Sequence, residues 1–184
     1  MRSSVIGILA SAFAVACLFA QVKKEDIDGI RNFTVVDANT ACAGATEPRA
    51  LAAVAARGYK AVINLRVATE SGAAIDDSRA AAEKAGLKFI HLPFDTAKPD
   101  MAVADAFIKA VTDPANQPVY VHCASGQRAS ALLLAKRLLV DKWTQEQALA
   151  EAHTIGLTMP ALERFALDYV AARSKLGGFA RRRY

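Results

Sequence analysis

Apolar and polar positions along the chain follow two periods, and the switch between them places most of the elements. Phe33-Thr34-Val35-Val36 reads as a short strand. Ala61-Val62-Ile63-Asn64-Leu65 reads as a second, too uniformly apolar to leave one face in water. Leu87-Lys88-Phe89-Ile90-His91-Leu92 and Pro118-Val119-Tyr120-Val121-His122 are the third and fourth. Helical spacing separates them. Glu47-Pro48 opens a helix that carries Leu51, Val54 and Ala55 and stops at Gly58. Residues 76–85 form another, ended by Gly86, and Pro99-Asp100 start a third with Val103, Phe107, Ile108 and Val111. After the fourth strand only helical patterns remain, over about 129–140, 144–155 and 160–174. Buried strands joined by helices imply right-handed crossovers. The fold class is therefore α/β, a mostly parallel sheet of four to five strands flanked by helices.

The two ends break this pattern. Met1 and Arg2 precede an uncharged run from Val5 to Ala20, and Lys23-Lys24-Glu25-Asp26 follow at once. A basic start, an apolar stretch and small residues near its end describe a secretory signal peptide over residues 1–20. Ala14-Val15-Ala16 and Leu18-Phe19-Ala20 are the candidate cleavage sites, and Cys17 gives a weak lipoprotein pattern. The apolar run falls short of the roughly 20 residues needed to span a bilayer, so the expectation is an exported protein, periplasmic or secreted, with no membrane span once mature. Gly177-Gly178 are expected to break the last helix, leaving 177–184 as a basic tail behind a domain over 27–176.

Composition changes the picture in one respect. The chain has 184 residues and is 53% apolar, but 40 of them are alanine, so the bulky core is smaller than the percentage suggests. Length and composition suit a single domain and exclude a disordered chain, and three cysteines cannot staple a chain this long. The net charge of +5 first suggests nucleic acid. Arg2 in the leader and Arg181, Arg182 and Arg183 in the tail hold most of that excess, which leaves a nearly neutral body and no nucleic-acid partner.

The chemistry concentrates in His122-Cys123-Ala124-Ser125-Gly126-Gln127-Arg128-Ala129-Ser130, between the fourth strand and an apolar helix. A loop of small residues there lines up backbone N–H groups around an anion at the positive end of a helix dipole. Gly126 lets the backbone approach closely, and Arg128 adds a planar fork for two phosphate oxygens. The same field favours a thiolate on Cys123, the nucleophilic form. Residues 124–129 are thus the candidate phosphate-binding loop, with His122 and Ser130 in support.

The His122-Cys123 pair, with Arg128 following in the same loop, resembles the signature of the cysteine-based protein tyrosine phosphatase superfamily. Ala43-Gly44-Ala45-Thr46-Glu47-Pro48, Leu51, Arg57-Gly58-Tyr59 and Val62-Ile63-Asn64-Leu65-Arg66 look like the amino-terminal half of small bacterial phosphatases of the beta-lactamase-hydrolase-like group, relatives of the dual-specificity phosphatases. The likeness covers roughly 35–156. It implies a dual-specificity-like fold and a two-step reaction: Cys123 attacks phosphorus, Arg128 and the loop amides hold the oxygens, and a phosphocysteine forms. An aspartic acid protonates the leaving oxygen and then helps activate water. Asp95 directly follows the third strand, so it emerges on the same sheet edge as Cys123 and is favoured as that acid. Asp100, beside Pro99, reads as a helix N-terminal residue. The family usually carries a hydroxyl after the arginine, where this chain has Ala129; Ser130 and Ser125 are the nearby substitutes.

His122 is expected to hydrogen-bond the loop and help hold the thiolate. His91 and His153 have no ligand-spaced partner, so no metal or other cofactor is expected. Arg66 with Glu70 reads as an ion pair under the loop, and Lys136-Arg137 as the solvated side of the helix that follows it. Cys42 lies near the same edge; it reads as a small buried residue, or as a disulfide partner of Cys123 in an oxidising compartment. The expected substrate is a phosphorylated protein or a small phosphoester, and the oligomeric state stays open. The competing readings are a rhodanese-like sulfurtransferase, whose loop is one residue shorter than the phosphatase signature and against which the His-Cys pair speaks, and a non-catalytic phosphate-binding module.

Overall fold

The computed structural model of the protein describes residues 22–181. The leader, its cleavage sites and Cys17 lie outside the described residues, as do Arg182, Arg183 and Tyr184. A mixed sheet forms the centre, with strands β1 (Lys23–Ile27), β2 (Ile30–Asp37), β3 (Thr40–Ala43), β4 (Ala61–Asn64), β5 (Lys88–His91) and β6 (Val119–His122). Their spatial order is β1-β2-β3-β6-β4-β5. The pairings of β3 with β6, β6 with β4 and β4 with β5 are parallel, whereas β1, β2 and β3 form an antiparallel meander.

Six strands replace the expected four to five. The two extra ones are β1, five mostly exposed residues of sequence KKEDI, and β3, the four small residues TACA. Neither carries a local strand signal. Charge is what an edge strand tolerates, and Ala and Cys pack well only once larger neighbours cover them.

Helices cover both faces. On one lie α1 (Leu51–Ala56), entered through a 3-10 turn at Pro48–Ala50, and α2 (Ile75–Lys84). They bury Leu51, Val54, Ala82 and Leu87 against Phe33, Val62 and Tyr120. On the other lie α3 (Met101–Thr112), α4 (Gln127–Leu139), α5 (Gln145–Ile155) and α6 (Pro160–Arg181). Val36, Ile63, Leu65, Val121 and Cys123 face them, so alternate residues of β6 divide between the two cores as a strand's period of two requires. Thr144 starts α5 with a reciprocal capping box to Gln147. α6 runs on through Gly177-Gly178 rather than breaking there. Glycine lowers helix stability by roughly 1 kcal/mol without forbidding the conformation.

α4 is the pivot. It packs against α3, α5 and α6 and buries Leu132, Leu133 and Leu134, each contributing roughly 1.5–3 kcal/mol. Lys136 and Arg137 do not mark a solvated side. Arg137 is 5% exposed, and its side chain reaches Asp37 on β2, Asp141 after α4 and Glu151 on α5. No described helix is long and apolar enough to cross a membrane.

Candidate active site

β6 sits between β3 and β4, with Ala43, His122 and Asn64 in register across the three parallel strands. The chain leaving β6 at Cys123 therefore emerges at the carboxyl edge of the sheet, where parallel α/β folds bind ligands. It turns through residues 124–126 directly into α4, whose N-cap is Gly126 at φ +95°. That left-handed backbone suits glycine. The Gly126 N–H donates to Cys123 Sγ at 3.1 Å. On the flank, the Ala45 N–H donates to Ala124 O at 2.9 Å. A side chain at Gly44 would meet Ala124 O at 3.1 Å, so the loop lies this close to β3 because Gly44 has none.

Arg128 is 6% exposed and tightly engaged. Its Nη1 donates to Glu70 Oε1 at 2.6 Å, Phe94 O at 3.0 Å and Leu65 O at 3.1 Å, and its Nη2 donates to Glu70 Oε2 at 2.8 Å. Glu70 thus clamps the end of the guanidinium. The side edge formed by Nε and the second hydrogen of Nη2 is taken by no protein oxygen among the described residues, and it has the spacing to hold two oxygens of a phosphate. Glu70 is itself held by the Val67 N–H at 2.8 Å and by Arg66 Nε at 3.3 Å. Arg66 is anchored to Ser71 O and Gly72 O. Partial burial works to raise the Glu70 carboxyl, but the hydrogen bonds from Arg128 and Val67 outweigh it and hold the group at about 2.

Because that value is depressed, the clamp is complete above the ordinary carboxylate range and weakens only as pH falls toward about 2. Glu70→Gln removes it at every pH. Its kcat/KM for para-nitrophenyl phosphate should fall about ten- to a hundredfold between pH 5 and 7, the scale of a misplaced binding group. Equal kcat/KM values for the two proteins would show that Glu70 does not position Arg128.

The cavity above the loop has a volume of about 350 Å³ and is lined by Ala124, Ser125, Gln127 and Arg128 together with Asp95, Thr96, Val67, Thr69, Glu70 and Met159. Cys123, next in the chain before the lining residue Ala124, is fully buried. Asp95 and the loop are thus brought together, as expected from the sheet edge. Its Oδ1 accepts the Ala97 N–H at 2.9 Å, which steadies the 92–100 segment. Asp100 instead caps α3 by accepting the Ala102 N–H at 2.8 Å.

His122 is fully buried, and its ring stacks on Tyr120 at 5.8 Å. Burial, followed by the charge of Arg66, pushes it down to about 3, so it is a neutral packing residue. Ser130 Oγ is buried without a partner. Gln127 lines the cavity and also ties the loop down. Its side chain donates to Thr158 Oγ1 and accepts the N–H groups of Thr158 and Met159, tying the loop to the start of α6.

Cys42 pairs across the sheet with Val121 and is a free, buried thiol pushed well up by burial. It stands two residues short of Cys123 on the neighbouring strand, a diagonal on the order of 7–8 Å, at or beyond disulfide reach without backbone movement. His91 Nε2 donates to Arg66 O at 2.8 Å, and His153 pairs with Glu163. Among the described residues no three His, Cys, Asp or Glu side chains are grouped to hold a metal ion.

Sequence spacing could show the Arg66–Glu70 pair but not that Glu70 also grips Arg128, 58 residues away. The loop also departs from the phosphatase signature in length. Four residues, 124–127, separate Cys123 from Arg128, one fewer than in the phosphatase signature, so the loop has the shorter sulfurtransferase length. Loop length alone thus favours the sulfurtransferase reading, and the His122-Cys123 pair the phosphatase one.

A cysteine at the base of a strand–loop–helix anion site, with a clamped arginine beside it, defines a class that includes both phosphatases and sulfurtransferases. The family comparison separates them. Residues 19–166 match the family described as DSP-PTPase phosphatase fused to NAD+ kinase, and the chain belongs to that DSP-PTPase phosphatase family. No curated protein sequence matches it significantly. Its fold is shared with the DUF442 protein of Shewanella putrefaciens CN-32, at TM-score 0.67 and 22% identity over 78% of this chain and 94% of that one. The core catalytic domain of the PP-IP phosphatase SIW14 from S. cerevisiae, in complex with citrate, gives TM-score 0.63 and 16% identity over 79% and 92%. A cysteine-to-serine variant of P. aeruginosa TpbA in complex with pTyr gives 0.61 and 20% over 80% and 87%.

Proposed function

We propose that the protein hydrolyses phosphoesters through a phosphocysteine intermediate. The observation that carries this reading is the divided guanidinium of Arg128: one edge is locked by Glu70 and the other left to an anion, above the loop that holds Cys123. The Cys123 thiolate attacks phosphorus; the S–P bond forms as the P–O bond breaks. Arg128 and the loop N–H groups hold the remaining oxygens as charge builds on them. Asp95 gives its proton to the leaving oxygen. It then takes one from the water that attacks phosphorus, and the S–P bond breaks to release phosphate. The leader pattern supports action outside the cytoplasm, in the periplasm or after secretion. A phosphorylated protein side chain or a small phosphoester is the substrate.

The second step lacks a ready hydroxyl. Ala129 has none, and Ser130 Oγ makes no hydrogen bond, so the Gly126 N–H and the Arg128 guanidinium beside Cys123 are left to stabilise the departing thiolate. Rapid mixing with para-nitrophenyl phosphate should therefore show a burst of nitrophenol stoichiometric with enzyme, and acid quenching should trap phosphate on Cys123. Thiosulfate should not be turned over. A linear progress curve with no trapped phosphate, or sulfur transfer from thiosulfate to cyanide, would overturn the reading.

A further inference from the structure

A second cavity, of about 390 Å³, is lined, like the phosphate cavity, by residues of the 66–72 segment. Arg31, Thr46, Glu47 and Arg66 are among its lining residues. Its charges are not equivalent. Arg66 is offset by Glu70, and Glu47 by Arg49 at 2.7 Å. Arg31 is exposed and makes no side-chain hydrogen bond or ion pair among the described residues, so its charge is the one left uncompensated.

The backbone places that charge deliberately close to the phosphate loop. The Arg31 N–H donates to Ala45 O at 2.8 Å, and Arg31 O accepts the Gly44 N–H at 2.8 Å. In a regular antiparallel pair Ala45 would return the bond to Arg31. Here its N–H goes instead to Ala124 O of the loop. Arg31 thus stands two strand spacings from Ala124, about 10 Å. Its orientation is also set. Ile30 and Phe33, three apart, both enter the same core, because Asn32 at φ +53° interrupts the strand's alternation, and Arg31 is left outward. Asn is among the residues that tolerate this left-handed backbone.

We propose that Arg31 forms a second anion subsite, which binds a carboxylate or phosphate carried by the same substrate roughly one residue or one ring away from the phosphoester in the loop. The proposal rests on the phosphatase reading for which group occupies the first site. The geometry favours substrates with two anionic groups over those with one, because Arg31 can meet the second with its planar fork while Arg128 holds the first.

The test uses binding to the full-length Cys123→Ser protein by calorimetry, with turnover of the parent in parallel. One probe pair is a phosphotyrosine peptide with glutamates flanking the phosphotyrosine and its glutamine analogue. The other is a sugar bisphosphate and the corresponding monophosphate. The member with the second anion should bind about three- to fivefold tighter, the scale of an exposed ion pair, and added salt should shrink the preference. Arg31→Gln should abolish the preference while leaving affinity for the single-anion member, and turnover of para-nitrophenyl phosphate, unchanged. A preference in the peptide pair alone assigns the second anion to a side-chain carboxylate; one in the sugar pair alone assigns it to a phosphate. No preference in either pair, one that survives Arg31→Gln, or no binding at all overturns the subsite. If the Arg31-dependent preference is present but the parent releases no phosphate from any probe, the subsite stands and the hydrolytic reading falls.

Discussion

Replacing Cys123 by serine should lower phosphate release from para-nitrophenyl phosphate by at least about a thousandfold, with the fold intact. The side chain is buried where the Gly126 N–H meets Sγ at 3.1 Å, and an oxygen fits that space, so melting temperature should barely move. What changes is nucleophilicity. A serine hydroxyl needs a neighbouring base: burial pushes His122 down to about 3, so its imidazole takes a proton poorly, and it lies on the Tyr120 side of the sheet, while Asp95 serves the leaving oxygen. Steady-state phosphate release against enzyme concentration checks the loss. A Cys123→Ser protein that retains even a tenth of parental turnover would rule out the phosphocysteine and leave a water-attack mechanism or a contaminating enzyme.

The largest stability effect should come from a residue outside the site. Arg137 donates to Glu151 at 2.7 and 3.0 Å, to Asp141 at 2.8 Å and to Asp37 at 2.7 Å, and its guanidinium lies 4.5 Å from the Trp143 ring centroid. One side chain on α4 thereby joins β2, α5 and the turn after α4. Truncating it to alanine leaves Glu151, which burial already pushes up, without its guanidinium, along with Asp37. Breaking a buried pair from one side costs about 3–5 kcal/mol, which for a chain of this size lowers Tm by roughly 10 °C. Thermal unfolding followed by circular dichroism measures it. A Tm within about 3 °C of the parent would mean that water compensates the stranded carboxylates and that the cluster contributes little to stability.

Both predictions concern groups whose side chains the sequence named but whose surroundings it could describe only in part. The strand-and-helix alternation from Ala61 to His122 was legible because apolar runs of four or five residues, cut by Gly and Pro, have few other readings. β1 was not, since KKEDI is as charged as any linker; its strand exists because β2 offers an antiparallel edge. Lys136-Arg137 read as solvated for the same reason that charged pairs usually are. Only its carboxylate partners, Glu151 on α5, Asp141 and Asp37 from 100 positions away, make the buried place tenable for Arg137. His122 misled in the opposite direction: next to a nucleophile it suggests hydrogen bonding, yet β6 turns it onto the Tyr120 side of the sheet, away from the helix dipole that serves the loop.

By itself the sequence determined that a cysteine and an arginine would share one short loop at the start of a helix. Loop length and the strand–helix boundary are local properties, written in consecutive residues. It also offered two aspartates as the proposed acid and, through the sheet edge, favoured Asp95, which lines the cavity, over Asp100, which caps a helix. Tertiary structure decided the rest: that Glu70 holds one edge of Arg128, that Gly44 lets the loop lie against β3, and that Arg31 stands without a side-chain partner among the described residues about two strands away. Those facts depend on which strands become neighbours. Strand order is set by burying two faces of one sheet at once, a condition on the whole chain that no stretch of it records.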